Sequence, residues 1–404
     1  MAARYEYVLE PIRDSAELTL YRGRQRGNST PVLVVAPAAE QPPPQSLRRL
    51  EHEYSLAAEL DAAWAAKPLA LTRHEGRTIL VIADPGGEPL DRILERDKEQ
   101  PLDVARFLRL AMNLAAALRH VHQRGLIHKD IKPENVLVNG AGDVWLTGFG
   151  VASRLPNERQ APAPPEIVAG TLAYMSPEQT GRMNRSIDAR SDLYSLGVTL
   201  YQMLTGVLPF TAADPLELVH CHIARQPVAP IDRGAGPEPL SAIIMKLLAK
   251  NAEERYQTAA GLEVDLRRCL AEWQSHGRID PFPLGTDDST DRLLIPEKLY
   301  GREREVDTLL AAFDRVVAQG TAELVLVSGY SGVGKSSVVN ELHKVLVPPR
   351  GLFAAGKFDQ YKRDIPYATL AQAFQTLVRQ ILVKSEAEVG QWRHTLLEAV
   401  GPNG

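Results

Sequence analysis

The chain has 404 residues, 44% of them hydrophobic and 24% charged. That suits two or three globular domains of about 150 residues each and excludes wholesale disorder. Lys and Arg total 46 against 50 Asp and Glu, a net charge of −4, so the balance predicts no general nucleic-acid binder and no membrane-surface binder. Only Cys221 and Cys269 occur. Two such residues give neither a disulfide framework nor metal-ligand spacing, and a cytoplasmic, reducing location is expected. No apolar run approaches the roughly 18 residues a membrane helix needs. The first residues carry acids where a signal peptide has its apolar stretch.

In chain order, Leu18–Tyr21 and Pro31–Val35 read as strands, being β-branched or aromatic and bounded by Gly, Asn and Pro. Ser46–Leu60 reads as a helix after the proline-rich turn 42–44, and Thr78–Ile82 as a strand stopped by Asp84-Pro85-Gly86-Gly87. Helical spacing of apolar residues then recurs over Val104–Arg124, Asp192–Leu204 and Leu240–Leu248. Between the first two lies a loop at 150–175, and so long a loop inside a domain signals function. Residues 274–298, with Gly277, Pro281, Pro283, Gly285 and a polar run, are the best linker. After them, Glu303–Val317 reads as a helix, Glu323–Val327 as a short buried strand, and Ser336–Val347 as a helix after a glycine-rich turn.

Residues 128–135 read His-Lys-Asp-Ile-Lys-Pro-Glu-Asn, with Asp and Asn five apart as in a protein kinase catalytic loop. The chemistry accounts for the residue types: an Asp to accept the proton of an attacking hydroxyl, an Asn to hold a metal on the nucleotide phosphates. The flanks agree, with Gly150 opening the long loop, Gly170–Glu178 closing it, Asp192 at a helix start and Arg255 in Asn-Ala-Glu-Glu-Arg-Tyr. On these motifs, residues 1–272 resemble a Ser/Thr protein kinase domain, which implies a bilobal α+β kinase-like fold. The resemblance implies that Asp130 is the catalytic base, Asn135 a metal ligand and Lys132 a phosphate contact. It also implies that Glu178 pairs with Arg255, that Asp192 braces the catalytic loop and that Glu53 is the helix acid of the upper lobe.

The departures from that pattern are specific. Gly148 stands where the Asp of Asp-Phe-Gly would ligate Mg²⁺, and glycine has no ligating side chain. The third strand carries Val35 or Ala36 where a lysine would reach the phosphates, and the first lysine in the chain is Lys67. The segment 14–23 lacks the three spaced glycines of a phosphate-covering loop. Arg22, Arg24 and Arg26 are the candidate substitute cations, though a guanidinium is not equivalent to an ammonium. Losing one electrostatic contact costs about 10²–10³ in rate by analogy with a single oxyanion donor. The expectation is therefore a pseudokinase, a kinase fold used for binding or regulation. An active kinase with a rearranged nucleotide site and a docking scaffold remain the alternatives.

Residues 329–336, Gly-Tyr-Ser-Gly-Val-Gly-Lys-Ser, fit the phosphate-loop pattern in full. Gly329, Gly332 and Gly334 allow backbone N–H groups to curl around phosphates, Lys335 would reach the β- and γ-phosphates, and Ser336 would hold Mg²⁺. Leu299–Glu303 resembles the segment opening an ATPase module of the AAA/STAND type, which places Tyr300–Arg302 near the nucleotide. A kinase domain at 1–272, a linker at 273–298 and such an ATPase at 299–404 together resemble large bacterial signalling hybrids that continue into a GAF sensor and a histidine kinase. Gly356–Tyr361 and Pro366–Ala371 carry part of that likeness. It implies ATP and Mg²⁺ as cofactors, and protein partners or a protein substrate. No strand after Ser337 ends in paired acids, so the expected α/β P-loop domain is its N-terminal part only.

Overall fold

The structure, a computed structural model, describes residues 7–14, 17–27, 30–97, 102–154, 172–181, 185–212, 214–289, 301–330, 333–340, 342, 354, 356, 367–382 and 386–400. The upper lobe is a five-stranded antiparallel sheet built from β1 (Tyr7–Arg13), β2 (Leu18–Gln25), β3 (Pro31–Pro37), β4 (Pro68–His74) and β5 (Arg77–Ala83), in the order β1-β2-β3-β5-β4. The apolar run of β3 is continuous because both of its faces are buried. Leu33 and Val35 pack with Leu20, Leu50, Leu80 and Ile82 on the inner face, and Val32, Val34 and Ala36 pack with Ile79 and Val81 on the outer one. Helix α1 (Pro44–Ser55) starts on consecutive prolines, which need no donor N–H in the first turn. It is shorter than the helix expected over 46–60. After Ser55 the chain turns, and Leu56, Leu60 and Trp64 enter the core of the lower lobe.

That lobe begins with β6 (Glu88–Pro89), α2 (Leu90–Arg96) and α3 (Val104–Gln123), the last capped by the Asp103 carboxylate on the Arg106 N–H. Strands β7 (Val136–Val138) and β8 (Val144–Leu146) complete a three-stranded sheet with β6. Helix α4 (Ala189–Thr205) is apolar on most sides and is correspondingly buried, capped by Asp188 at its start and Gly206 at its end. Helices α5 (Pro215–Ile223), α6 (Glu238–Leu247) and α7 (Ala259–His276) pack around it and α3.

The segment read as a linker behaves differently over its first half. Residues 277–289 lie on the lower lobe, where Ile279 is buried and Phe282 and Leu284 pack against the same core. Asp288 accepts hydrogen bonds from the Gln257 and Thr258 N–H groups and the Thr258 hydroxyl, and Asp265 accepts one from the Gly285 N–H. Proline and glycine there shape a close-packed turn rather than a free tether. Residues 290–300 lie outside the described residues.

Beyond them come α8 (Glu303–Gln319), α9 (Lys335–Asn340), α10 (Ala368–Leu382) and α11 (Glu386–Val400). Among the described residues the strand expected at 323–327 is not observed. Residues 321–330 have no strand partner among the described residues, and Leu324 and Leu326 are exposed. A buried-type strand exists only when neighbours pair with its backbone on either side. The helix expected over Ser336–Val347 is described only as far as Asn340, and Gly351–Ala355 and Gly356–Tyr361 fall almost wholly outside the described residues.

Candidate functional site

The catalytic-loop residues lie at the foot of the cleft between the lobes, and Asp192 at the start of α4 holds them there. Its buried carboxylate accepts hydrogen bonds from the His128 N–H at 2.8 Å and the Lys129 N–H at 2.7 Å, and His122 Nε2 lies 2.9 Å away. These bonds stabilise the left-handed backbone at Lys129, with φ 64°. His128 is fully buried, which lowers its pKa and keeps the ring neutral. Its Nε2–H donates to the Thr147 carbonyl and its Nδ1 accepts from the Asp130 N–H. Phe149 sits against this ring, with centroids 4.5 Å apart.

Asp130, Lys132 and Asn135 converge. Lys132 Nζ is 3.2 Å from Asp130 Oδ2 and 3.3 Å from Glu134 Oε2. Asn135 Nδ2 donates to both Oδ2 and the main-chain oxygen of Asp130, each at 2.8 Å. Gly148 meets the same carboxamide from the other side. Its backbone is left-handed, with φ 78°, and a Cβ there would stand 2.8 Å from Cγ and Oδ1 of Asn135. The amide of Asn135 therefore lies where the side chain of a metal-binding Asp would begin.

The upper lobe closes on this group from above. Of the two positions where a phosphate-facing lysine is expected, Val35 lies on the inner face with Leu33 and with Leu50 of α1, whereas Ala36 is on the opposite face. Glu53, expected to partner such a lysine, is buried instead beside the Gly148–Phe149 backbone. Burial pushes its carboxyl up to about 7. The N–H groups of Phe149 and Gly148 and the charge of Arg13 act against that rise, and Asp130 adds to it. Helix α1 is held by other means. His52 Nε2 donates to the Ala152 carbonyl at 2.7 Å, and Arg154 reaches Glu59 and the Ser55 carbonyl.

A cation that reaches this group from the upper lobe is Arg13, which sequence reasoning missed. A β-bulge between Pro11 and Arg13 sets Arg13 opposite Leu20, on the inner face. Its Nη1 donates to the Glu134 carbonyl and lies 3.4 Å from Asn135 Oδ1. Of the three arginines proposed for that work, Arg22 is committed elsewhere, forked onto Asp84 and bonded to the Gly87 carbonyl. Arg24 and Arg26 are exposed. The only local sign of Arg13 was a proline two residues before it, which marks irregular pairing but not its direction.

Mg²⁺ does not fit this cleft as it stands. One intended ligand is a glycine, and the other, Asn135, has its amide on Asp130 and a guanidinium facing its oxygen.

In the lower lobe, Arg255 donates to Glu178 at 2.7 and 3.0 Å, both residues buried, and the Ser191 hydroxyl donates to the same carboxylate at 2.7 Å. Burial alone would raise the Glu178 pKa. The charge and hydrogen bonds of Arg255, with Ser191, overcome it and hold the carboxyl at about 2. Ser176 and Gln179 cap one another, and Gln179 donates to the Lys129 carbonyl, so this segment also supports the catalytic loop. Cys221 and His222, contiguous with His220, are buried within the lobe, and no cluster of metal-ligating side chains occurs among the described residues.

The second site is the loop before α9. Gly329 and Gly334 have φ 156° and 93°. Lys335 Nζ turns back inside the loop and donates to the carbonyls of Gly329 at 2.9 Å and Tyr330 at 2.8 Å. Ser336 beside it is exposed, and Arg302 Nη2 reaches the Val333 carbonyl at 3.4 Å. Gly332 and Tyr300 lie outside the described residues. An ammonium held by carbonyls within a glycine loop is placed to exchange them for phosphate oxygens, so the donor set fits a nucleotide phosphate.

Comparison with known proteins matches the chain to two family models. The family model of the protein kinase domain matches residues 21–265, and that of the AAA ATPase domain matches residues 298–404. The chain is 30% identical, over 76% of its length, to hybrid signal transduction histidine kinase G of Dictyostelium discoideum, of which it spans 11%. It is 38% identical, over 45% of its length, to serine/threonine-protein kinase PknB of Mycobacterium tuberculosis, spanning 29% of that protein. It is likewise 38% identical, over 47% of its length, to serine/threonine-protein kinase PksC of Streptomyces coelicolor, spanning 34% of it. With a bilobal fold around its catalytic-loop motif, and a family match over more than half its length, the chain belongs to the protein kinase domain family and carries an AAA-type ATPase domain after the kinase domain.

Proposed function

We propose that the chain is the regulatory front of a signalling protein: a kinase-fold unit that does not transfer phosphoryl groups, followed by a P-loop unit that binds ATP. On this reading the kinase-like unit is residues 1–272, extended by the packed segment to residue 289, and the ATPase unit is 299–404. The observation that carries it is the Asn135 amide pressed against Gly148, where a second metal ligand would have to be. Phosphoryl transfer is mostly positioning and charge neutralisation, and a site without Val35→Lys or Gly148→Asp chemistry supplies neither. Asp130 and Lys132 then act as structural members of the catalytic loop. In the P-loop unit, Lys335 and the glycine-loop N–H groups would hold the phosphates, and Ser336 the Mg²⁺ they carry. The bound nucleotide supplies the signal there, and protein partners are its readers.

A second reading, an active Ser/Thr kinase with a rearranged nucleotide site, is favoured by one feature. His128, Phe149 and α1 are assembled together although the lysine is gone. Transfer of radiolabelled phosphate from Mg-ATP or Mn-ATP to the chain or to a generic acceptor separates the two. The expected result is none above background. Transfer that Asp130→Ala abolishes would establish the second reading instead.

A further inference from the structure

We propose that the β1–β2 ribbon is an internal latch that keeps the cleft between the lobes closed to nucleotide, with Arg13 as its decisive contact. The inference rests on the reading above and deepens it, because it says how nucleotide is kept out of the cleft rather than why the cleft is inactive.

Three ties fasten the ribbon around the cleft. At the end of β1, Arg13 reaches down to the Glu134 carbonyl and Asn135. In the turn, Glu17 receives the Ser46 hydroxyl at 3.0 Å and Arg49 Nη1 at 2.5 Å, both from α1. Along β2, Arg22 bridges to Asp84 at 2.7 Å and to the Gly87 carbonyl at 2.7 Å, in the segment that joins the lobes. Asp84 is almost wholly buried, so this fork is shielded from solvent on its acid side. The Arg13 tie joins the ribbon to the lower lobe and the Arg22 tie joins it to the segment between the lobes, so these two limit the lift of the sheet, and the Glu17 tie fixes the ribbon to α1.

The apolar surfaces agree with closure. Leu137 of β7 belongs to the lower lobe, yet it is buried in one cluster with Leu20, Leu33, Leu80 and Ile82 of the upper sheet. A flat aromatic base would have to part these side chains. The phosphate end is filled as well, since a guanidinium already faces Asn135, and like charge disfavours a metal ion beside it.

The closed state also contains a reason to open. Arg13 Nε, Glu53 Oε1 and Asp130 Oδ1 are all buried without a hydrogen-bond partner among the described residues. Lifting the ribbon returns such groups to water, which offsets part of the loss of the three ties. That makes the ribbon a two-position element rather than a fixed wall.

The test uses the full chain with Lys335→Ala, so that any nucleotide binding reads the cleft and not the P-loop. The probe is a fluorescent ATP analogue with Mg²⁺. The Lys335→Ala parent is expected to bind weakly or not at all, and Arg13→Ala in that background to bind at least tenfold tighter. Arg22→Ala, which breaks a tie at the mouth and leaves Asn135 untouched, is expected to act in the same direction and carries the test should Arg13→Ala fail to fold. Binding that is unchanged or weaker in folded variants overturns the latch, as does a parent that already binds as tightly as Arg13→Ala. Such a failure leaves the absence of phosphoryl transfer standing, whereas transfer sensitive to Asp130→Ala counts against the proposed function itself.

Discussion

Glu53 is the residue that the loss of the strand lysine leaves most exposed to consequence. Its carboxyl is buried and raised to about 7 against an ordinary 4.5, so the folded chain keeps a proton that the unfolded chain releases. The stabilisation from that proton is complete below about 4.5 and is lost as pH rises through about 7. Glu53→Gln, which carries the proton equivalent permanently, is therefore expected to be near neutral at pH 5 and stabilising at pH 8. A shift of this size corresponds to about 3 kcal/mol at most, and urea unfolding at the two pH values measures it; equal effects at both would contradict the assignment. Gly148 allows a second expectation. Restoring Asp there places a side chain against Asn135 on a left-handed backbone, so Gly148→Asp is expected to destabilise by about 1–3 kcal/mol and to restore no transfer. A thermal melt with the radiolabel assay reads both. At this scale the sequence was partly legible. The absence of a side chain at Gly148 and of a lysine near Val35 could be read directly, because each is a local fact about one residue type. Which of Val35 and Ala36 faces the helix required the strand's pairing. Arg13 required a bulge that no local pattern announces.

At the scale of elements, periodicity located α3, α4 and α6 within a few residues, since each buries a continuous apolar face and has a cap or breaker at its end. The readings that failed were those set by tertiary partners. The strand expected at 323–327 has no described neighbour to pair with, and the linker at 277–289 is ordered by Asp288 and Asp265, both acids that composition counts as surface. Asp288 supplies the clearest test. It accepts the Gln257 and Thr258 N–H groups and the hydroxyl of Thr258, the N-cap of α7, from thirty residues away, so Asp288→Ala removes the support of that cap. The expected cost is about 1–2 kcal/mol, with faster amide exchange at Gln257 and Thr258 than at the centre of α4. Unchanged exchange at those two amides would show the segment to be a passive tail.

For the whole molecule, two phosphate-handling motifs stand in one chain in opposite condition. In the kinase-like cleft the Asn135 amide is taken up by Asp130, whereas the P-loop lysine rests on main-chain oxygens that a nucleotide can replace. The expected outcome is that nucleotide binding by the intact chain is lost in Lys335→Ala and unaltered in Asp130→Ala, as read by equilibrium dialysis with Mg-ATP. Persistent tight binding in Lys335→Ala would move the working site to the cleft. The packed segment 277–289 adds a mechanical consequence. Asp288 holds the Gln257 N–H, and Gln257 Oε1 receives Arg190 Nη1. Arg255, two residues earlier, grips Glu178 and the Arg190 carbonyl. Tension on the polypeptide at residue 289 is thus borne first by the Asp288 bonds to Gln257 and Thr258, and next in line, through Gln257 and Arg255, stand the bonds that join Glu178 to the start of α4.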